Sequence, residues 1–209
     1  MNLIQKIKTN LQSPLPGKAA QDKMSHAIRK HATNIPDDAR TACVLALLYP
    51  KKEGWHIAFI ERQSSHPDDK HGGQISFPGG MQESSDPSLE YTALREAYEE
   101  IGIPMKAVKV LGPTTPLYIP VSNFQVFPFV GYLDATPIFE AQPSEVRSIL
   151  EVPLNDLANP ETRKRTDMKI SKKMTLKKVP YYDVEGHILW GATAMMLREM
   201  LEVMELVED

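Results

Sequence analysis

The stretch from Gly72 to Ile103 constrains the fold most, because it joins a glycine-rich turn to an acidic helix. The turn is FPGG at 77–80, where glycine permits backbone conformations that other residues avoid. Helical periodicity runs over Leu89–Ile101, with Ser88 or Pro87 at its start and Gly102 just past its end. The sequence therefore predicts a tight turn lying close to a capped helix.

Three glutamates of this helix are spaced to share one face. Glu96, Glu99 and Glu100 stand at i, i+3 and i+4, where like charges destabilise a helix and resist full ionisation. A divalent cation removes both penalties, and carboxylate oxygens suit Mg²⁺ or Mn²⁺. Two interpretations stay open at this point, a metal site and a plain acidic surface. The opposite face is predicted to be an apolar stripe of Leu94, Ala97, Tyr98 and Ile101.

Composition indicates an ordinary globular protein, since 42% of the 209 residues are hydrophobic and 24% are charged. We expect a single domain over 1–209, with an N-terminal helical extension (1–34) and a core (35–209) that ends in a helix. A formal charge of −3 argues against nucleic-acid binding. No long apolar run or signal-peptide core is found, so we expect a cytoplasmic protein without a membrane partner. Cys43, in the run ACVLALLY, is predicted to be buried.

Strand and helix patterns alternate along the chain, which predicts an α/β sandwich with a mixed sheet covered by helices. Predicted helices are 3–12, 19–31, Leu89–Ile101, the short VPLNDL segment and Ala192–Leu206. Predicted strands are Thr41–Tyr49, Trp55–Glu61, QISFP, VKVLG, FQVFPFVGYL, VPYYDV and HILWG.

A basic segment at 161–178 stands out against the acidic balance of the chain. It holds eight Lys and Arg against two acids, a local charge of +6. Its two interpretations are a solvated loop or exposed hairpin, and a patch that meets a phosphorylated substrate.

The glycine turn and acidic helix resemble the Nudix box, whose pattern is Gly-x5-Glu-x7-Arg-Glu-apolar-x-Glu-Glu-x-Gly-apolar. Gly80 opens the box and REAYEEIGI at 95–103 closes it. Asp86 stands where the pattern has Glu, and one extra residue precedes Arg95. Both departures resemble the coenzyme A pyrophosphatase branch of the family.

The segment before the box also resembles that branch, with matches at Arg62 and from His71 to Gly80. Gln63 stands where Ser or Ala is usual, the loop is longer by about two residues, and a second arginine is missing, for which Lys70 is a substitute. The resemblance extends over LQSPLPGKAAQDKM, PSEVRSILEVPLNDL and GHILWGATAMMLREM.

The resemblance implies a Nudix-type α/β/α sandwich and metal-dependent hydrolysis of the diphosphate of coenzyme A or its derivatives. The metal is Mg²⁺ or Mn²⁺, with Glu96, Glu99, Glu100 and the Gly79 carbonyl as its ligands. Arg95 is expected to orient a carboxylate or substrate charge, and Glu96, Glu100 or Glu145 to act as general base. The alternative for Glu145 is a cap of the segment SEVRSIL. The substrate is expected to meet Arg62, Lys70, Gly79 and Gly80.

Two other functions remain open on the sequence. One is hydrolysis of another nucleoside diphosphate derivative, such as ADP-ribose, NADH or a nucleoside triphosphate, and the other is a non-catalytic nucleotide-binding module. A small-molecule substrate is the expected partner. The Met-rich closing helix predicts either core packing or a homodimer surface, and Tyr118 and Phe124 are either core aromatics or adenine-stacking residues.

Overall fold

A computed structural model of the chain describes residues 2–26, 35–63, 73–171 and 174–207. Its helices are Leu3–Asn10 (α1), Gly17–Asp22 (α2), Leu89–Ile101 (α3), Leu154–Ala158 (α4) and Gly191–Val203 (α5). Its strands are Arg40–Lys51 (β1), Gly54–Arg62 (β2), Ile75–Ser76 (β3), Gly79–Met81 (β4), Lys109–Pro113 (β5), Leu117–Ile119 (β6), Phe124–Tyr132 (β7), Val146–Pro153 (β8), Arg163–Ser171 (β9), Met174–Val184 (β10) and His187–Trp190 (β11).

The larger sheet is mixed, as predicted. Its strand order is β3-β2-β1-β7-β5, and β1 runs parallel to β7 but antiparallel to β2. The hairpin of β1 and β2 is paired only from Leu48 to Lys51 on β1, whereas Ala42 to Val44 pair with β4. Strands β2 and β4 thus share one edge of β1, and the pairing of β4 brings the glycine turn into the sheet.

Helices cover both faces of this sheet. Strand β1 alternates between them, as period-two geometry requires. Cys43, Leu45 and Leu47 belong to the core beneath α3, whereas Ala42, Ala46 and Leu48 belong to the core that contains α5. The result is the predicted α/β/α sandwich, with Cys43 buried as expected.

Helix α3 begins and ends as the sequence predicts. The Ser88 hydroxyl accepts a hydrogen bond from the Tyr91 N–H, and Gly102 ends the helix in the left-handed region at φ 73°. The predicted apolar stripe is partly wrong, because Tyr98 is 54% exposed. The buried face contains Ala93, Ala97, Ile101 and also Glu100, so the helix turns one of its carboxylates toward the sheet.

Helix α5 closes the other core. Its methionines are buried, which confirms core packing: Met195, Met196, Met200 and Met204. Homodimer formation stays a prediction. Ile7 of α1 and Met24 after α2 join the same core. The predicted helix 19–31 is shorter than expected, ending at Asp22, and its last part lies outside the described residues. Within the described residues, no helix has the length and apolarity needed to cross a bilayer.

The basic segment forms most of a β9–β10 hairpin, which β11 completes as a three-stranded antiparallel sheet. The expected exposed hairpin is thus present, and contact of this segment with a phosphorylated substrate stays a prediction. Glu145 was offered as the cap of the segment SEVRSIL, but from Val146 onward this segment is strand β8, which pairs with β2. Glu145 therefore precedes a strand, and the capping interpretation is wrong.

Candidate active site

Strand β4 lies close to β1 at Gly79 and close to α3 at Gly80, because neither residue carries a side chain. Gly79 has φ 149°, and a Cβ there would collide with the Cys43 carbonyl oxygen of β1. A Cβ on Gly80 would collide with the Glu96 carboxylate. The turn predicted from FPGG therefore serves a close approach of backbone to carboxylates.

Glu100 is the most buried carboxylate of the site. Its Oε2 accepts a 2.7 Å hydrogen bond from the Gly79 N–H, and its Oε1 lies 3.5 Å from the Arg62 guanidinium. The side chain is only 2% exposed, and this burial raises its pKa to about 8. Glu100 therefore holds a proton more readily than a surface carboxylate.

Glu96 lies beside Glu100 at the edge of the sheet. Burial raises the pKa of Glu96, the neighbouring Arg95 lowers it in part, and the charges of Glu99 and Glu145 raise it further. Glu99 is exposed. The three helix carboxylates thus differ in burial, and the interpretation of a plain acidic surface does not hold for Glu100, which is buried and bound to the Gly79 N–H of β4.

Arg95 holds four acceptors of the site together. Its Nε and Nη2 donate to the two oxygens of Asp86, both at 2.9 Å, in a forked pair. Its Nη1 donates to Glu96 at 2.9 Å and to Glu99 at 2.8 Å. Nη2 also donates to the Met81 carbonyl at 3.1 Å. These contacts occupy all five N–H groups of a guanidinium, so Arg95 orients carboxylates.

Asp86 was expected only as a departure from the box pattern, yet it anchors Arg95. Its side chain is 1% exposed, and it also accepts from the Thr92 hydroxyl and the Glu83 N–H. These contacts, with Arg95 the foremost, hold the Asp86 pKa well below its usual range. Thr92 was not singled out from the sequence. The signal that could have found it is a polar hydroxyl on the buried side of α3, where it needs an acceptor such as Asp86.

Glu145 reaches the same site from the loop before β8. Its charge raises the pKa values of both Glu96 and Glu100, which places it near both carboxylates. The Glu145 carbonyl accepts a 2.7 Å hydrogen bond from the Gln63 N–H, so this loop is joined to the residue that follows Arg62. The side chain of Glu145 is exposed.

The family follows from comparison with known proteins. A family model described as the NUDIX domain matches residues 39–174, which is more than half of the chain. The chain belongs to the Nudix family. Its matched region contains the whole arrangement of β4, α3 and the Glu145 loop.

Curated relatives of this Nudix chain support the same assignment. The uncharacterized Nudix hydrolase NudL of Photorhabdus laumondii is 36% identical over 132 residues, covering 63% of this chain and 69% of that protein. NudL of Pectobacterium atrosepticum is 39% identical over 131 residues, covering 63% and 67%. The chain is accordingly a Nudix hydrolase acting on a nucleoside diphosphate derivative.

Solved structures give weaker similarities to this Nudix hydrolase. A MutT/nudix family protein from Enterococcus faecalis has a TM-score of 0.49 and 14% identity, covering 88% of this chain and 71% of that chain. The NUDIX domain of Shewanella oneidensis NrtR, solved with ADP ribose, has a TM-score of 0.46 and 19% identity, covering 64% and 86%. The assignment therefore rests on the family model and the NudL relatives.

Nudix enzymes generally use divalent metal ions, and the donor set at β4 and α3 fits such an ion. Carboxylate oxygens are hard ligands that suit such ions. Burial disfavours the ionised forms of Glu96 and Glu100, which raises their pKa values, and a bound cation offsets this penalty. Within the described residues, no group of three or more Asp, Glu, His or Cys side chains is already gathered around a metal position. Arg95 and the Gly79 N–H engage these carboxylates instead.

The remaining predicted residues are distributed as follows. Arg62 lies at the site, where its guanidinium is 3.5 Å from a carboxylate oxygen of Glu100, so its role toward substrate stays a prediction. Lys70 lies outside the described residues. The Tyr118 hydroxyl donates to Asn123, and the Phe124 ring lies under Arg40. The metal ligands, including the Gly79 carbonyl, stay predictions.

Proposed function

We propose that this Nudix hydrolase cleaves the diphosphate bond of coenzyme A or its derivatives, releasing 3',5'-adenosine diphosphate and 4'-phosphopantetheine. The observation that carries the proposal is the position of the segment before the box. Arg62 at its start lies 3.5 Å from Glu100, and Gly79 at its end donates to the same carboxylate. The two described ends of the segment that resembles coenzyme A pyrophosphatases therefore border the proposed reacting centre.

The cation in this proposal is Mg²⁺ or Mn²⁺, held by Glu96, Glu99, Glu100 and the Gly79 carbonyl. When bound, it neutralises phosphoryl charge and lowers the pKa of a water. The role of Arg95 is to fix the directions of Glu96 and Glu99, because its contacts to them are anchored by Asp86. Arg62 supplies positive charge at the rim, where a diphosphate carries its negative charge.

The general base accepts the proton that the attacking water loses as the bridging P–O bond breaks. Glu96, Glu100 and Glu145 are its candidates. Glu100 is buried and already accepts from Gly79. No side-chain hydrogen bond engages the Glu145 carboxylate within the described part of the chain, and this carboxylate is exposed. We propose Glu145 as the base for this reason.

A second substrate class is favoured by one observation, the altered sequence that follows Arg62. Gln63 replaces the usual Ser or Ala, and its N–H is bound to the Glu145 carbonyl. This change lies at the mouth of the site. It motivates hydrolysis of another nucleoside diphosphate derivative, such as ADP-ribose or NADH, as the alternative.

Product analysis tests both proposals. Purified protein is incubated with Mg²⁺ or Mn²⁺ and with coenzyme A, ADP-ribose, NADH or a nucleoside triphosphate, with and without chelator. We expect release of 4'-phosphopantetheine that stops in chelator, with coenzyme A as the best substrate. Preference for another diphosphate would replace the coenzyme A proposal, and absence of turnover with every substrate would favour the non-catalytic module.

Matched variants test the residue roles in the same assay. Glu99→Gln and Glu145→Gln should each lower kcat by about a hundredfold or more, the usual effect of losing a ligand or a base. Glu90→Gln is the control, because Glu90 is exposed on the first turn of the same helix. Full activity of Glu145→Gln would exclude Glu145 as the base.

A further inference from the structure

A second polar cavity lies away from the catalytic carboxylates. It is open, has a volume of about 210 Å³, and is lined by residues after α2, before β9 and on both strands of the basic hairpin. We call it the basic pocket, and its lining residues are Lys23, Met24, Pro160, Arg163, Lys164, Arg165 and Pro180. No residue of α3, β4 or β2 is among them.

Positive charge dominates the basic pocket. Four of its seven described lining residues are Lys or Arg, and none is acidic. Lys23 is paired with Glu202 at 3.0 Å and Lys164 with Asp183 at 2.7 Å. Those pairs leave the charges of Arg163 and Arg165 without a carboxylate of their own in the described structure. Both arginines are exposed, so guanidinium N–H groups are available to an anion that enters from solvent.

The two arginines are placed as a pair. Strand geometry points the side chains of residues i and i+2 to one face, with Cα atoms about 7 Å apart, so Arg163 and Arg165 share a face of β9. Their partners in register on β10 are Tyr182 and Pro180. Tyr182 is fully buried, which fixes this end of the hairpin against the core. The Arg165 Nη1 donates to the Lys178 carbonyl at 3.2 Å.

The size and chemistry of the basic pocket select a small anion. Its volume is below the range of about 300–1,000 Å³ for sites that enclose drug-sized ligands. Paired guanidinium groups offer forked donors that match the oxygens of a phosphate. Only Met24 and two prolines provide apolar surface, so little of the pocket suits a base or an acyl chain.

We propose that the basic pocket binds a phosphate group, either inorganic phosphate or the phosphate of a small monoester, at a site separate from the diphosphate-cleaving centre. The bound phosphate joins the segment after α2 to the first residues of β9, since Lys23 and Arg163 both line this cavity. Occupancy therefore stabilises the contact of the N-terminal helices with the hairpin. This inference does not depend on which diphosphate the enzyme cleaves.

Titration of the full-length, ¹⁵N-labelled protein with inorganic phosphate tests the proposal. Chelator is present throughout, so that no metal holds phosphate at Glu96, Glu99 and Glu100, and chloride is exchanged to keep the ionic strength constant. We expect saturable shifts of the amide signals of Arg163, Lys164 and Arg165. A second titration with glycerol phosphate determines whether the free ion or the monoester binds more tightly.

The variant Arg163→Gln/Arg165→Gln should weaken phosphate binding by at least about tenfold, because it removes two charge-assisted donors. The matched control Lys106→Gln/Lys169→Gln removes the same charge from exposed lysines outside the pocket, and should change the affinity less than twofold. Thermal unfolding without phosphate checks that both variants are folded. Non-saturable shifts in the wild type, or equal weakening in both variants, would overturn the proposal.

Discussion

Arg95 shows how one side chain organises several charges of a site. Its guanidinium donates to Asp86, Glu96, Glu99 and the Met81 carbonyl. Because every N–H of Arg95 has an acceptor, loss of any one acceptor leaves an N–H unpaired, and the guanidinium then shifts relative to its remaining acceptors. The directions of Glu96 and Glu99 are therefore linked to Asp86, whose own side chain is buried.

Replacing Asp86 with Asn tests this linkage. The variant leaves the Arg95 charge without its forked partner, and breaking a buried pair of this kind costs about 3 kcal/mol. We expect the free energy of unfolding, measured with urea, to fall by roughly that amount, and kcat to fall as Glu96 and Glu99 lose their fixed positions. The control is Asp134→Asn, whose exposed partner is Lys109. An effect of Asp86→Asn no larger than the control would contradict the anchoring role.

Glu100 predicts a pH dependence of stability in chelator. Its pKa rises from the usual 4.5 to about 8 on folding, so between these values the folded protein binds a proton that the unfolded chain releases. The stability from protonated Glu100 is fully present below pH 4.5 and is lost as the pH rises through 8. We expect the Tm of the wild type to fall from pH 5 to about pH 9 more steeply than that of Glu100→Gln.

Added Mg²⁺ should stabilise the wild type more than Glu100→Gln at high pH, because ionised Glu100 is one of the proposed ligands of the cation. Parallel Tm profiles of wild type and Glu100→Gln in chelator would contradict the assignment of a raised pKa. Asp86 has the opposite pH dependence. Because folding lowers its pKa, ionised Asp86 stabilises the fold at any pH above the usual pKa of an aspartate, and this stabilisation is lost only in acid.

At the level of elements, the close approach of β4 to β1 depends on a missing side chain at Gly79. Gly79→Ala would drive a Cβ into the Cys43 carbonyl, where β1 backbone cannot yield. Gly54→Ala is a matched control, because Gly54 also has a positive φ, 126°, but an added Cβ there meets nothing within 4 Å. We expect Gly79→Ala to lower Tm and activity clearly more than Gly54→Ala. Equal losses of Tm and activity in the two variants would mean that the positive φ, and not the contact with Cys43, causes the effect.

The elements with clear signals were predictable from the sequence. The strands β1 and β2 are continuous apolar runs, and α3 has both a serine start and a glycine stop. The short strands β4 and β6, of three residues each, carry no period of their own and form only because β1 and β7 offer open edges. The burial of Glu100 was missed for the same reason, since it arises from β4.

At the level of the whole molecule, Glu199 joins the N-terminal helices to the core. This fully buried carboxylate of α5 accepts from the Gly17 N–H at 3.1 Å, the Gln21 side chain at 2.8 Å and the Thr115 N–H at 3.2 Å. We propose on this basis that the extension 1–34 and the core 35–209 unfold as one domain.

Glu199→Ala tests that proposal. It leaves three donors without their acceptor, and each buried unsatisfied group costs about 1–3 kcal/mol, so we expect a clear loss of unfolding free energy. Glu53→Ala, in the exposed β1–β2 turn, is the control. Urea unfolding of the wild type should give coincident transitions by tryptophan fluorescence and circular dichroism. Two separate transitions would mean that the extension is an independent unit.

The parallel pairing of β1 with β7 has a consequence for synthesis on the ribosome. The strand that completes one edge of β1 lies beyond α3, β5 and β6 in the chain, and the helix that covers the second core, α5, follows all eleven strands of the described residues. Nascent β1 therefore waits with an open edge and a bare apolar face, the features that attract mispairing during slow folding. We infer that β1 is covered on both faces only after α5 has left the exit tunnel.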